Sequence, residues 1–299
     1  MDIIIEIGTP EQKQLIEKEL GFFVEFTEQV DAQAISLVVI PEDFEKKVNE
    51  LQETKDYKSE RGVSESSVTT MAKTVRLDDS IAIILSSLLY TEYYDSQIRS
   101  FVFIHEITHV INHLDFPKVE TSSRTTVTYL GNLYRLFDEY WADRLAYQVI
   151  DNIYTEKSQL WENYIENEIN GFTSLLADRK YYDTIQAEID ALKSHNDTTR
   201  FLDNIKQSLD ELTISTVHLF VLIHHNPSLI SQENLLKSSF VNEKTWALLN
   251  YFKSKYEQND LNLDKGIELI TEYMMNFGIR FEDRGSELHC YVTDIQTGD

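Results

Sequence analysis

Residues 101 to 112 read FVFIHEITHVIN, an apolar run broken by His105, Glu106 and His109. No other stretch constrains the chain as much. The segment follows the capping residues Asp95 and Ser96 and stops before Pro117, as a helix does. A helix this apolar is built for burial, and a buried imidazole or carboxylate needs a partner. It is either a core helix with awkward polar residues or the floor of a metal site. Histidines four apart share one helix face, about one turn from each other, so their imidazoles can converge on a single ion. Zn(II) suits that pairing, since imidazole nitrogen is among its common ligands. Glu106 follows the first histidine and points beside the ion. There a carboxylate can take a proton from water that the metal activates.

A catalytic zinc takes three protein ligands and keeps one position open. Further along, FDEYWADRLAY offers Glu139, with Asp143 one turn later on the same helix face. Glu139 can be the third ligand. Asp143 can accept a hydrogen bond from the distal N–H of His105 or His109 and fix its tautomer. The bland alternative is a solvated acidic face. Leu136, Trp141, Ala142, Leu145 and Ala146 make this helix mostly apolar, which favours the ligand reading.

His105-Glu106-x-x-His109 followed by Glu139-x-x-Ala142-Asp143 resembles the gluzincin class of zinc metallopeptidases. In that class a downstream Glu-x-x-x-Asp helix supplies the third ligand and a carboxylate that orients a histidine. Within it, MAKTVRLDDSIAIILSS followed by IRSFVFIHEITH is similar to the soluble, intracellular ImmA/IrrE-like metallopeptidases, which place a strand hairpin just before the active-site helix. Ile107-Thr108 stand where those proteins usually carry Leu-Gly, and Asp143 where they often carry Asn. The likeness runs from about Thr69 to Ile150. It implies an α+β, zincin-like fold, one Zn2+ per chain and a peptide or protein substrate. A regulatory protein such as a helix-turn-helix repressor would be one such substrate.

Bulk composition narrows the partners. With 51 acidic against 27 basic residues the formal charge is -24, a surface that repels nucleic-acid phosphates and anionic lipid heads. The single cysteine, Cys290, excludes an intrachain disulfide and has no evident catalytic partner. MDIIIEIGTPEQ lacks the basic start of a signal peptide, and the apolar runs are too short to span a bilayer. These features predict a cytoplasmic protein that binds neither nucleic acid nor membrane.

The organisation expected is a mixed sheet with the active-site and glutamate helices over residues 1–150, then a mainly helical region over 151–299. Ile3–Ile7, Phe22–Phe26 and Ile35–Ile40 read as strands, EQKQLIEKEL and EDFEKKVNELQE as helices, and KDYKSERGVSESS as a loop. TTMAKTVR and IAIILSS flank LDDS as a hairpin, although one helix from Ser80 to Tyr94 has the same apolar content. A second hairpin is expected around DRGS near the C-terminus.

In zincins the edge strand before the active-site helix pairs with an extended peptide. IAIILSS, residues 81 to 87, is the expected edge, with TTMAKTVR the lesser choice. A His or Tyr donor usually supports the developing oxyanion. His218 and His224, in VHLFVLIHHNP with His225 beside them, are the candidates, though a histidine on an apolar helix is more often a satisfied core residue. His113 falls outside the ligand set. Two functions fit: a zinc metallopeptidase with Glu106 as general base, or a metal-bearing interaction module without turnover. A structural site usually closes with four ligands, which favours the first.

Overall fold

The computed structural model of the chain describes residues 2–29, 35–53, 60–61, 68–77, 80–115, 121–226, 241–258, 262–285 and 287–295, with only the backbone described at 22–29, 60–61, 68–69, 113–115 and 195. The chain groups into two units, residues 1–116 with 141–167 and residues 117–140 with 168–299. This grouping crosses the expected boundary at 150, because 117–140 belong with the second unit and 151–167 with the first.

The first unit is α+β. Strand β1 (Asp2–Ile5) leads through helix α1 (Pro10–Gln29) to β2 (Ile35–Ile40) and helix α2 (Phe44–Leu51). Two short strands, β3 (Glu60–Arg61) and β4 (Val68–Thr69), precede the hairpin of β5 (Ala72–Arg76) and β6 (Ile81–Leu85). Helix α3 (Ser96–Asp115) follows, and the unit takes in α4 (Arg124–Ile153) from Trp141 and α5 (Gln159–Ala177) as far as Asn167. The main sheet has the order β1-β2-β6-β5, with β1, β2 and β6 parallel and β5 antiparallel to β6.

The local signals explain most of these elements. Thr9 and Gln12 form a capping box: the Thr9 N–H donates to Gln12 Oε1 at 2.8 Å, and the Gln12 N–H to Thr9 Oγ1 at 3.3 Å. Pro10 stands at the first helical position, where its missing N–H costs nothing. Once started, α1 runs through Phe22–Phe26, which is helix and not the expected strand. Gly21 is the only weak point before it, at about 1 kcal/mol relative to Ala, too little to stop a capped helix. Helix α2 is capped by Asp43, which accepts from the Lys46 N–H at 3.0 Å, and buries Phe44 and Val48 against Val39, Val75 and Ile84 of the sheet.

All five residues of β6 are buried, because α2 packs on the sheet at one face and α3 packs on β5 and β6. A strand covered on both sides loses its alternation, which is why IAIIL resembles a helix in sequence. It is a strand, followed by a single 3-10 turn at Ser87–Tyr90. Its place corrects the expected substrate edge: β6 lies between β2 and β5, with both sides paired. Among the described residues the free edge beside α3 is β5.

The second unit contains α4 up to Tyr140, the rest of α5, α6 (Lys180–His195), α7 (Thr198–His225), α8 (Glu243–Gln258) and α9 (Leu263–Met274). It ends in the expected hairpin, β7 (Ile279–Arg284) with β8 (Glu287–Val292). Gly278 has φ +68, and a Cβ there would meet the Thr293 carbonyl oxygen at 2.0 Å, so no other residue fits. Asp283 of β7 caps α4, accepting from the Ser123 hydroxyl at 2.6 Å and the Thr125 N–H at 3.0 Å. Among the described residues no helix is long and apolar enough to cross a membrane.

Candidate metal site

Helix α3 is held along its length before it reaches the histidines. Asp95 caps it, accepting from the N–H groups of Gln97 and Ile98 at 3.0 and 3.1 Å. Arg99 forms a two-pronged pair with Glu19 of α1, at 2.7 and 3.0 Å. One turn before His105, Phe101 packs on Tyr147 of α4 and Trp161 of α5, with ring centroids 4.6 and 5.7 Å away. These contacts fix the rotation of α3 against the later part of α4.

That rotation decides what His105 meets. Its Nδ1 lies 2.8 Å from Asp143 Oδ1, on a carboxylate that is nearly buried. An ionised carboxylate only accepts, so His105 carries its proton on Nδ1 and presents a lone pair at Nε2. His105 Nε2 faces His109 Nε2 at 2.9 Å, with the two rings nearly perpendicular at 86°. Two nitrogens bound tetrahedrally at ~2.0–2.1 Å would stand ~3.3 Å apart, within a small rotation of what is found. Glu139 sits one turn before Asp143 on α4. Ligand atoms of His105, His109 and Glu139 all lie within 4.8 Å of one another, so this group could hold a metal ion.

Glu106 is buried, at 8% exposure, but stands outside that trio. Its carboxylate has a donor of its own: Thr74 Oγ1 of β5 donates to Glu106 Oε2 at 2.6 Å, with the Glu106 carbonyl a longer acceptor at 3.2 Å. The distance is that of a charge-assisted O–H···O bond. Sequence reading missed Thr74, because a threonine in a strand is ordinary. Only the alternation along AKTVR places it, since Val75 points to the α2 core and its neighbour must face the other way.

The two downstream histidines separate. His218 Nε2 lies 3.8 Å from Glu139 Oε2, beyond hydrogen-bond range, and its ring stacks on Phe172 at 5.3 Å and 21°. His224 Nδ1 pairs with the Tyr140 hydroxyl at 3.0 Å and meets Phe220 edge-on at 4.7 Å, as a satisfied core residue would. The side chain of His113 lies outside the described residues. Cys290 sits in β8, where burial pushes its thiol up to about 11. The arrangement is thus a three-residue group that could hold a metal ion, with the Glu106 carboxylate held separately by Thr74. No protein-family model matches the chain, and neither the curated proteins nor the solved structures include a match to it.

Proposed function

We propose that this chain is a zinc-dependent peptidase in which His105, His109 and Glu139 hold the ion and Glu106 is the general base. One observation carries the reading. Asp143 forces His105 to turn its Nε2 toward that of His109, while Glu106, on the same helix, is kept out of the trio by Thr74. A purely structural site has no use for a carboxylate held beside the ligands. A zinc ion there supplies Lewis-acid activation of water and of the scissile carbonyl.

The residues of the chain do the rest. Glu106 accepts the proton of the attacking water and delivers it to the leaving amine nitrogen. Asp143 holds the His105 ring and keeps its tautomer through the cycle. His218, whose ring approaches Glu139, is the better placed of the two histidines to donate to a developing negative charge on the substrate oxygen.

A peptide substrate is favoured by the edge of β5. The Leu77 N–H donates to the Ser80 carbonyl and the Ser86 N–H to that of Met71, so the odd-numbered residues of β5 face β6. Ala72, Thr74 and Arg76 therefore turn their N–H and C=O groups outward. An extended peptide can add there as a further strand. The net charge of -24 favours a neutral or basic segment. Resemblance to the ImmA/IrrE-like enzymes suggests that this segment belongs to a regulatory protein.

The test is metal content of protein purified without added metal, together with cleavage of a peptide library by the wild type and by Glu106→Gln. About one zinc per chain in both, with cleavage only in the wild type, supports the peptidase. Retained cleavage in the variant removes Glu106 from the chemistry. Metal-replete wild type without turnover favours the interaction module instead.

A further inference from the structure

The edge strand that would receive the substrate also carries the group that holds the base. Thr74 sits in the middle of β5, with outward-facing backbone groups and a hydroxyl 2.6 Å from Glu106 Oε2. We infer, resting on the peptidase reading, that Thr74 is a positioning residue for Glu106. Its hydroxyl occupies Oε2 and leaves Oε1 as the oxygen that takes the proton from water.

The chemistry supports this division of labour. A glutamate has two rotatable bonds beyond Cβ before its carboxylate, and an untethered one samples orientations that do not point at the attacking water. A short O–H···O bond to an ionised carboxylate is among the stronger neutral-to-charged contacts and has a narrow geometry. Because the donor comes from the β5 backbone segment that would bind peptide, a strand added to β5 would stiffen Thr74 and Glu106 together. The contribution belongs to the reacting state and not to substrate affinity, since the hydroxyl is turned toward α3 and the peptide would meet the backbone.

Two substitutions separate the hydroxyl from the methyl group. Thr74→Val keeps the shape and removes the donor, while Thr74→Ser keeps the donor and removes the methyl. Expected for Thr74→Val is a loss in kcat of about tenfold to a hundredfold with KM within about twofold, and for Thr74→Ser a recovery to within about threefold of wild type. If Thr74→Val does not fold, Thr74→Ala against Thr74→Ser reads the same contrast.

A second readout needs no turnover. In zinc-stripped protein, the Tm losses of Thr74→Val and Glu106→Ala should be less than additive in the double variant, because each removes the same bond. Additive losses would overturn the pair itself. Less-than-additive losses with unchanged kcat in Thr74→Val, or an equal loss in Thr74→Ser, would overturn its role in positioning. Wild-type protein that binds zinc and cleaves nothing would sink the peptidase reading, and the catalytic role of Thr74 with it, while the thermal cycle still judges the bond.

Discussion

His105 and Asp143 are joined by a 2.8 Å contact from imidazole Nδ1 to carboxylate Oδ1, and that contact leaves Nε2 as the nitrogen that His105 turns toward His109. Asp143 sits one turn from Glu139 on α4, so one helix carries both a member of the trio that could hold a metal ion and the carboxylate paired with His105. Asp143→Ala is expected to weaken zinc binding by roughly 10–100-fold. Glu139→Ala, which removes a ligand outright, should weaken it more. Competition titration against a zinc chelator measures both, and equal affinities in the two variants and the wild type would refute the assignment.

The outward groups of β5 make a second prediction, based on proline. Arg76 turns its N–H away from β6, so Arg76→Pro should leave the fold intact and raise KM for peptide. Lys73 faces Ile84 in the ladder, so Lys73→Pro should cost ~1–3 kcal/mol by stranding a buried carbonyl. Thermal melts beside peptide kinetics check this. The same Tm loss in both variants would mean that the register has been misassigned.

Asp283 ties the C-terminal hairpin to the start of α4. Hydrogen bonds from the Ser123 hydroxyl and the Thr125 N–H hold its carboxyl below the usual aspartate range. A pKa lowered in the folded state contributes stability that is complete above the unfolded value, about 3.9, and is lost as pH falls through the folded value. The Tm gap between wild type and Asp283→Ala should therefore be constant near neutral pH and close below about pH 4. A gap that is independent of pH would exclude the ionised cap.

Cys290 gives a chemical prediction. Burial raises its thiol to about 11, while an ordinary free thiol titrates near 8.5, so at pH 8 its reactive thiolate is scarcer by roughly two-hundredfold. Alkylation by iodoacetamide should be slow in the native protein and fast in denaturant. Rapid native labelling would contradict the burial.

Whatever depends on local spacing can be read from the chain alone. His105, Glu106 and His109 share a helix, and Glu139 and Asp143 share another, because residues four apart meet on one face whatever surrounds them. Asp95 as a cap, the hairpin ahead of α3 and the C-terminal hairpin of β7 with β8 were legible for the same reason: capping and turn chemistry act within a few residues. Tertiary structure decided the rest. IAIIL lies inside the sheet because β2 pairs with it across a long stretch of chain, and that pairing leaves β5, among the described residues, as the edge beside α3. Phe22–Phe26 became helix because α1 was already propagating, an outcome that an apolar run with no clear period does not reveal. Thr74 reached Glu106, and His218 came to Glu139 while His224 turned to Tyr140, through packing between elements distant in sequence. Periodicity records which face of an element is apolar; only the docking of that face decides which polar group stands opposite.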